Sequence, residues 1–365
     1  MKETPLTQIH RAHKAKLVDF AGWCMPLHYS GVLDEYHAVR HAAGLFDVSH
    51  MGRISVTGAQ AEAFLQWVST NDVARLAVGE AQYSMVCQES GGIVDDIFIY
   101  KTGPQDFLVC VNASNREKLV RWFLENQGKH FPEATLHDQS DELAQIAIQG
   151  PASTVTIQKL IGAQADHLKP RHCVVIDAMG CSSLLSRTGY TGEIGYEWYL
   201  PAGVAVQAWE QLLKAGADDQ VKPVGLGARD LLRLDVGYLL YGNDMDEQTT
   251  PLEVGAEWVV AWSKGLFQGR PALLKQKEQG LTRRLAGFEM MVRGVPRHDM
   301  EIRKDGEVIG KVTSGNFSPI LQKGIGLGML PPDLCQEGTE IEIDIRGKHV
   351  PAKIVKPPFY KRQKS

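Results

Sequence analysis

Two adjacent carboxylates lie at the head of the run Gly91-Gly92-Ile93-Val94-Asp95-Asp96-Ile97-Phe98-Ile99-Tyr100. The glycine pair predicts a tight turn, and the β-branched and aromatic residues after it predict a strand. Successive side chains of a strand point to opposite faces. If one face is buried, one aspartate points into the protein, where a carboxylate is costly unless something holds it. The alternative leaves both aspartates solvated at the sheet rim. Strand geometry alone does not choose.

A second candidate is Thr188-Gly-Tyr-Thr-Gly-Glu-Ile-Gly-Tyr-Glu197. Glycines at 189, 192 and 195 permit close backbone approach, with two tyrosines and two glutamates between and after them. A flat heteroaromatic ligand could stack on a tyrosine while a carboxylate accepts its ring N–H groups. The same composition also fits a solvated glycine-rich turn. Arg229 stands near the start of the helix opened by Gly225-Leu-Gly-Ala-Arg-Asp230, where a cation opposes the helix dipole. That predicts a carboxylate partner for Arg229, with Arg233 one turn on along the same face. Carboxylates, arginines and aromatics around one apolar cleft fit a pterin or another planar amide-bearing ring.

Other patterns carry less. His37 and His41 are four apart on a predicted helix, but Ala-Val-Arg separates them, without the glutamate of a zinc-protease helix. Surface or packing histidines are expected. Gly324-Ile-Gly-Leu-Gly328 opens no helix and predicts a tight hairpin or barrel bend rather than a nucleotide loop. Six cysteines, at 24, 87, 110, 173, 181 and 335, form no Cys-x-x-Cys pair, so free and mostly buried thiols are expected and no metal site.

The elements that must position these residues are predicted as follows. Helices cover Leu33–Ala43, stopped by Gly44, and about Ala59–Ser69. A meander follows at Ala81–Gln88, Ile93–Tyr100 and Phe107–Asn112. Ser114 caps a helix running to Gly128, and a strand at Leu143–Gln149 leads through Gly150-Pro151 into another. Strands at Val174–Ile176 and Cys181–Ser186 precede helices at about Val204–Ala215 and Arg270–Gln279. This is an α+β reading with antiparallel sheet. From Leu285 to Val355 short β-segments alternate with glycine turns, as in a small barrel, and place a domain boundary near residue 280.

Bulk properties exclude several classes. The chain has 365 residues, 44% apolar and 22% charged, with a net charge of −4. It offers no broad basic face for nucleic acid. No apolar run approaches the roughly 20 residues that cross a bilayer, and no secretory signal is evident, so a cytoplasmic protein is expected.

Seven segments, in order, resemble the T-protein family of the glycine cleavage system, the tetrahydrofolate-dependent aminomethyltransferases. They are Asp19-Phe-Ala-Gly-Trp-Cys-Met-Pro-Leu-His-Tyr29, Gly44-Leu-Phe-Asp-Val-Ser-His-Met51, Gly91-Gly-Ile-Val-Asp-Asp-Ile97, Gly189-Tyr-Thr-Gly-Glu193, Gly225-Leu-Gly-Ala-Arg-Asp230, Leu240-Tyr-Gly-Asn-Asp-Met-Asp246 and Thr313-Ser-Gly-Asn-Phe-Ser-Pro319. The resemblance implies a three-domain cloverleaf. Residues 1–280 would form the folate-binding region as two interleaved α+β domains, and 281–365 a C-terminal β-barrel. It implies transfer of the methylene of an aminomethyl group, held on the lipoyl arm of H protein, to tetrahydrofolate. A functional link to the P and L proteins of that system is implied as well.

The same resemblance assigns roles. Asp96 matches the catalytic carboxylate, which returns Asp95 to the solvated rim. Glu197 matches the acceptor of the pterin N–H groups, Arg229 the folate-site arginine, and Tyr83 and Tyr190 aromatic and hydroxyl contacts. Tyr238 and Arg362 are further contacts, while Met51, Val111 and Asn112 border the pocket. Arg53, after Gly52, and the Ala261-Trp-Ser-Lys264 segment depart from the family pattern and leave the H-protein surface undefined. The basic tail around Lys361-Arg362 and the arginines near 283–297 would steer an acidic carrier. An alternative of the same fold is a non-enzymatic folate-binding assembly factor for iron–sulfur proteins. Those carry Lys-Gly-Cys-Tyr-x-Gly-Gln-Glu, where this chain reads Arg187-Thr-Gly-Tyr-Thr-Gly-Glu193 without a cysteine. The folate module of sarcosine and dimethylglycine oxidases is a further relative, usually joined to a flavin domain for which this chain has no dinucleotide loop.

Overall fold

A computed structural model of the chain describes residues 1–165 and 167–362. It divides into two compact units, one of Met1–Ser84 with Asp96–Arg229, the other of Met85–Asp95 with Asp230 onward. The architecture is α+β, with antiparallel sheets and a C-terminal six-stranded barrel, as expected. No described helix is long and apolar enough to cross a membrane.

The first unit is built on a six-stranded sheet in the order Cys173–Ala178, Cys181–Ser186, Gly195–Pro201, Leu143–Gln149, Gly44–Asp47 and Lys222–Pro223. Period-two patterning explains its two faces. Ala144, Ile146 and Ile148 of one central strand and Tyr196, Trp198 and Leu200 of its neighbour point to the same core, with Ile157, Ala208, Trp209 and Leu212 of the helices Ser153–Ile161 and Ala205–Ala215. The intervening residues Gln145, Gln149, Glu197 and Tyr199 point the other way and are buried too. Polar side chains on a buried face must satisfy one another or a ligand.

A five-stranded sheet runs Ala81–Cys87, Ile93–Gly103, Asp106–Val111, Gly52–Thr57 and Thr135–Asp138. The register Ile97↔Val111, Phe98↔Cys110, Tyr100↔Leu108 sets Asp96, Phe98 and Tyr100 on one face. Phe98, Tyr100, Leu108 and Cys110 share a cluster with Ala81, Cys173, Leu184, Tyr199 and Met51.

In the second unit the barrel closes in the order Arg284–Met290, Lys323–Leu330, Glu307–Ser318, Glu301–Lys304, Glu340–Ile345, Lys348–Val355. Phe288, Ile302, Ile341, Ile343 and Ile354 fill it. Gly324, Gly326 and Gly328, expected in a tight hairpin or barrel bend rather than a nucleotide loop, lie within the barrel strand Lys323–Leu330. A Cβ on Gly326 would meet the Phe288 ring at 2.4 Å, so the glycines make room for the core. Gly92 is needed for a close approach: a Cβ there would lie 1.9 Å from the Glu247 carbonyl oxygen.

Several boundaries differ from expectation. The helix predicted from Leu33 spans Val32–His41, and Gly44 begins a strand instead of stopping it. A Cβ on Gly44 would come within 2.4 Å of Val39 and 2.5 Å of Val224, so packing selects glycine there. Ser114 caps nothing, since Ala113–Asn115 is a 3-10 turn before the helix Arg116–His130. Pro151 precedes the helix Ser153–Ile161 rather than opening it. The short helix Thr7–Ala12 and the hairpin Lys16–Phe20 with Trp23–His28 were not anticipated.

Candidate active site

Asp96 is partly buried in the first unit, and its carboxylate is gripped from two sides. Tyr83 donates its hydroxyl to Oδ2 at 2.9 Å, and the Asn112 amide donates to Oδ1 at 2.6 Å and to the Asp96 carbonyl at 3.2 Å. Burial pushes the carboxyl up to about 6 despite these two bonds, which favour the charged form. A group so poised gains much from a nearby cation.

Asp95 reverses the expectation. It is fully buried and not solvated at the rim, because the strand is covered on both faces. The alternation argument required one inward aspartate. In this strand Asp95 is wholly buried and Asp96 partly so, and only Asp96 faces the aromatic side.

From Asp96 a row of rings leads to the second carboxylate. Tyr83 and Phe98 have centroids 6.4 Å apart, Phe98 and Tyr100 5.3 Å, and Tyr100 and Tyr199 5.4 Å. The Tyr100 hydroxyl lies 3.5 Å from Glu197 Oε2. Thr188 donates to the same oxygen, and Gln145 Nε2 donates to Oε1 at 3.2 Å. Burial next to Glu197 drives the Tyr100 phenol well above its ordinary range, so it stays protonated.

The glycine-rich segment owes its composition to Gln149. A Cβ on Gly189 would lie 1.9 Å from Gln149 Oε1, and one on Gly195 would lie 2.3 Å from its Nε2. That amide donates to the Thr188 and Tyr196 carbonyls and accepts from Thr191 at 3.0 Å, pinning the loop before Glu197. Glu193 is a structural partner: it forms a buried ion pair with Arg40 at 2.8 Å.

Arg229 sits in the first turn of the helix Leu226–Asp235. The helix start already has a carboxylate, since the Gly225 N–H donates to Glu35 Oε2 at 2.8 Å. The carboxylate partner expected for Arg229 is replaced by two rings: its guanidinium carbon lies 4.9 Å from the Tyr190 centroid and 6.0 Å from that of Phe46. Its Nη1 is buried without a hydrogen-bond partner. Burial lowers its pKa from the usual guanidinium range, while the charge of Glu197 opposes that shift. A buried cation with an unused donor is a seat for an anion or a carbonyl oxygen.

Met51 and Val111 pack in the same unit, Met51 against the cluster around Tyr100 and Val111 fully buried. Tyr238 and Arg362 belong to the second unit, where Tyr238 is 42% exposed and Arg362 is exposed near the end of the described chain. Arg233 stands one turn on from Arg229 in the same helix, as expected, and bonds within the second unit to Asp230, Asp244 and Ser314. His37 and His41 are exposed, with rings stacked at 5.7 Å.

Arg53 is not a surface residue. It is wholly buried, and its guanidinium donates to the carbonyls of Ser49, Met51, Ser140 and Leu143. It thereby ties down the loop that carries His50 and Met51. His50 is buried, with its pKa pushed down to about 3 by burial and by Arg229 and Arg53, so its imidazole is neutral. Burial alone would raise the Asp47 carboxyl; bonds from His10, Thr4 and the Ser49 N–H outweigh it and bring it to about 2.

Residue-by-residue reading missed Gln145, Thr188, Tyr100 and Tyr199. One signal was present: two glutamines, four apart, interrupt the apolar run Leu143-Ala-Gln-Ile-Ala-Ile-Gln149, which places both on one face.

Two carboxylates, an underbonded guanidinium and a row of aromatic rings are groups able to receive a small planar ligand with N–H donors and to stabilise developing positive charge. The match to known proteins extends over the whole chain. The GCVT N-terminal domain matches residues 6–264, and the glycine cleavage T-protein C-terminal barrel domain matches residues 283–361. An aminomethyltransferase of Thermoanaerobacter pseudethanolicus is 45% identical over 99% of this chain and 98% of its own. One from Bacteroides thetaiotaomicron is 45% identical over 99% of this chain and 100% of its own. The crystal structure of glycine cleavage system aminomethyltransferase T from Bartonella henselae superimposes with a TM-score of 0.92 at 34% identity, covering 99% of this chain and 98% of the other. The chain belongs to the glycine cleavage T-protein family and is an aminomethyltransferase.

Proposed function

We propose that this enzyme takes an aminomethyl group carried as S–CH2–NH2 on the lipoyl arm of H protein and passes its methylene to tetrahydrofolate. The products are 5,10-methylenetetrahydrofolate, ammonia and the reduced lipoyl arm. The observation that carries the reading is Asp96: anchored by Tyr83 and Asn112, yet still costly to ionise, it is placed to gain from a cation.

In this reading N5 of the folate attacks the methylene as the C–S bond breaks, and the sulfur leaves as thiolate and takes a proton. N10 then closes the ring as the C–N bond to ammonia breaks. Both steps pass through iminium-like positive charge, which a fixed carboxylate stabilises without reorganising. Asp96 is assigned that role. Glu197 accepts the pterin amino and ring N–H groups, and Arg229 with Tyr190 offers a stacked cation to an oxygen or carboxylate of the same ligand. Met51, Val111 and Asn112 wall the pocket, and Tyr238 and Arg362 keep the role of further folate contacts that the family resemblance implies. The reaction needs no metal. The lipoylated H protein is the carrier, the P and L proteins are functional partners, and the setting is cytoplasmic.

The test supplies aminomethyl-loaded lipoyl carrier with and without tetrahydrofolate and follows ammonia and methylenetetrahydrofolate. Folate-dependent ammonia release, matched by methylene product, is expected. Release that ignores folate would contradict the reading.

A further inference from the structure

The polar face behind Glu197 is more ordered than ligand contact alone requires. Cys110 directs its S–H to Gln145 Oε1 at 3.6 Å, so the Gln145 amide turns its nitrogen toward Glu197 Oε1 at 3.2 Å and Tyr199 Oη at 3.1 Å. The Tyr199 hydroxyl, having accepted from Gln145, donates to Tyr100 Oη at 2.9 Å. Tyr100 in turn reaches Glu197 Oε2 and lies 3.2 Å from Thr188 Oγ1. Thr188 donates to Oε2 with Ser186 2.6 Å behind it. Gln145, Thr188 and Tyr100 direct their protons at the carboxylate, and Cys110 and Tyr199 stand behind them as donors to Gln145 and Tyr100.

That direction has a consequence for ligand choice. A carboxylate offers about four acceptor positions on two oxygens. Gln145 takes one on Oε1 and Thr188 one on Oε2, while the Tyr100 contact at 3.5 Å is at the limit of a hydrogen bond and yields easily. One acceptor position on each oxygen is left, side by side, for two parallel N–H donors. A reversed Gln145 amide would set its oxygen against the carboxylate, and Cys110 and Tyr199 prevent that.

The geometry points to Gln145 and Thr188 as positioning residues that set the enzyme's preference for a ring carrying adjacent amino and ring N–H donors. They act through Glu197 and touch no reacting atom. The inference rests on the folate reading above and adds the device that selects the ring.

Equilibrium titration of the full chain with tetrahydrofolate and with its analogue lacking the 2-amino group tests it. In the unaltered enzyme the amino-bearing ligand should bind about 100-fold tighter, because its absence leaves a buried acceptor unpaired. Gln145→Met and Thr188→Val should each cut that preference to about tenfold or less, while Thr188→Ser, which keeps the hydroxyl, should restore it. A purely structural role would weaken both ligands equally and leave the preference intact; that outcome overturns the inference alone. Failure of the unaltered enzyme to bind tetrahydrofolate would overturn the folate reading itself, and the inference with it. Should Gln145→Met fold poorly, the Val and Ser variants at position 188 decide the question by themselves.

Discussion

Arg229 and Arg233 stand one turn apart on the helix Leu226–Asp235, and their surroundings are opposite. Within the second unit Arg233 donates to Asp244 at 2.9 Å, Asp230, Ser314 and the Tyr238 carbonyl, while Asp244 also accepts from Thr313 and the Leu240 N–H. Within the first unit Arg229 lies on two rings with a donor unused. A charge whose partners are complete holds a fold together. One whose partners are withheld costs stability, and it persists where a ligand completes it. Asp47 with His10 and Asp96 with Tyr83 repeat the contrast among carboxylates: the first is pulled down to about 2 by its partners, the second stays up near 6.

The contrast can be broken from either side. Asp244→Ala removes the buried carboxylate of Arg233, leaving only the more exposed Asp230, and should cost about 3 kcal/mol, read as a fall in denaturant midpoint. A change below about 1 kcal/mol would show that the pair is not structural. Glu197→Ala should instead weaken tetrahydrofolate binding about 100-fold, about 3 kcal/mol, with a smaller change in stability. An affinity equal to that of the unaltered enzyme would remove Glu197 from the site. Arg229→Gln is the mildest: about tenfold in affinity, with stability unchanged or improved as the cost of burying an underbonded cation is relieved. Marked destabilisation there would place Arg229 with Arg233 as a fold-holding residue.

The layout was legible wherever local rules decide it. The meander, the strands Leu143–Gln149 and Cys181–Ser186, the helix Arg270–Gln279 and the late barrel follow from period-two or helical patterning and glycine punctuation. The helix around Val32–His41 was misjudged at its end because Gly44 is dictated by Val39 and Val224, a tertiary contact that no local rule encodes. At the site, adjacent carboxylates and glycine-spaced tyrosines drew attention to Asp96 and Glu197, but the choice of Asp96 over Asp95 came from family resemblance. The fate of Asp95 was misread because burial of both strand faces is a property of the packed sheet. Gln145, Thr188 and Tyr199 escaped notice since each is unremarkable alone; what marks them is the direction of their shared hydrogen bonds. Arg53 looked like a surface variation and is an anchor for the loop before it.

The most direct test of the account is the single-turnover rate of methylene transfer at folate and carrier well below saturation, measured across pH in the unaltered enzyme and in Asp96→Asn. Because the ionised carboxylate is the working form and burial sets its pKa in the free enzyme near 6, the rate should climb about tenfold per pH unit below 6 and level off above it. Asp96→Asn should be slower by about 10³, equivalent to about 4 kcal/mol of transition-state stabilisation, with no rise through pH 6 and with folate affinity nearly unchanged. A variant that turns over at the normal rate, or that keeps the same rise near pH 6, would contradict the assignment of Asp96.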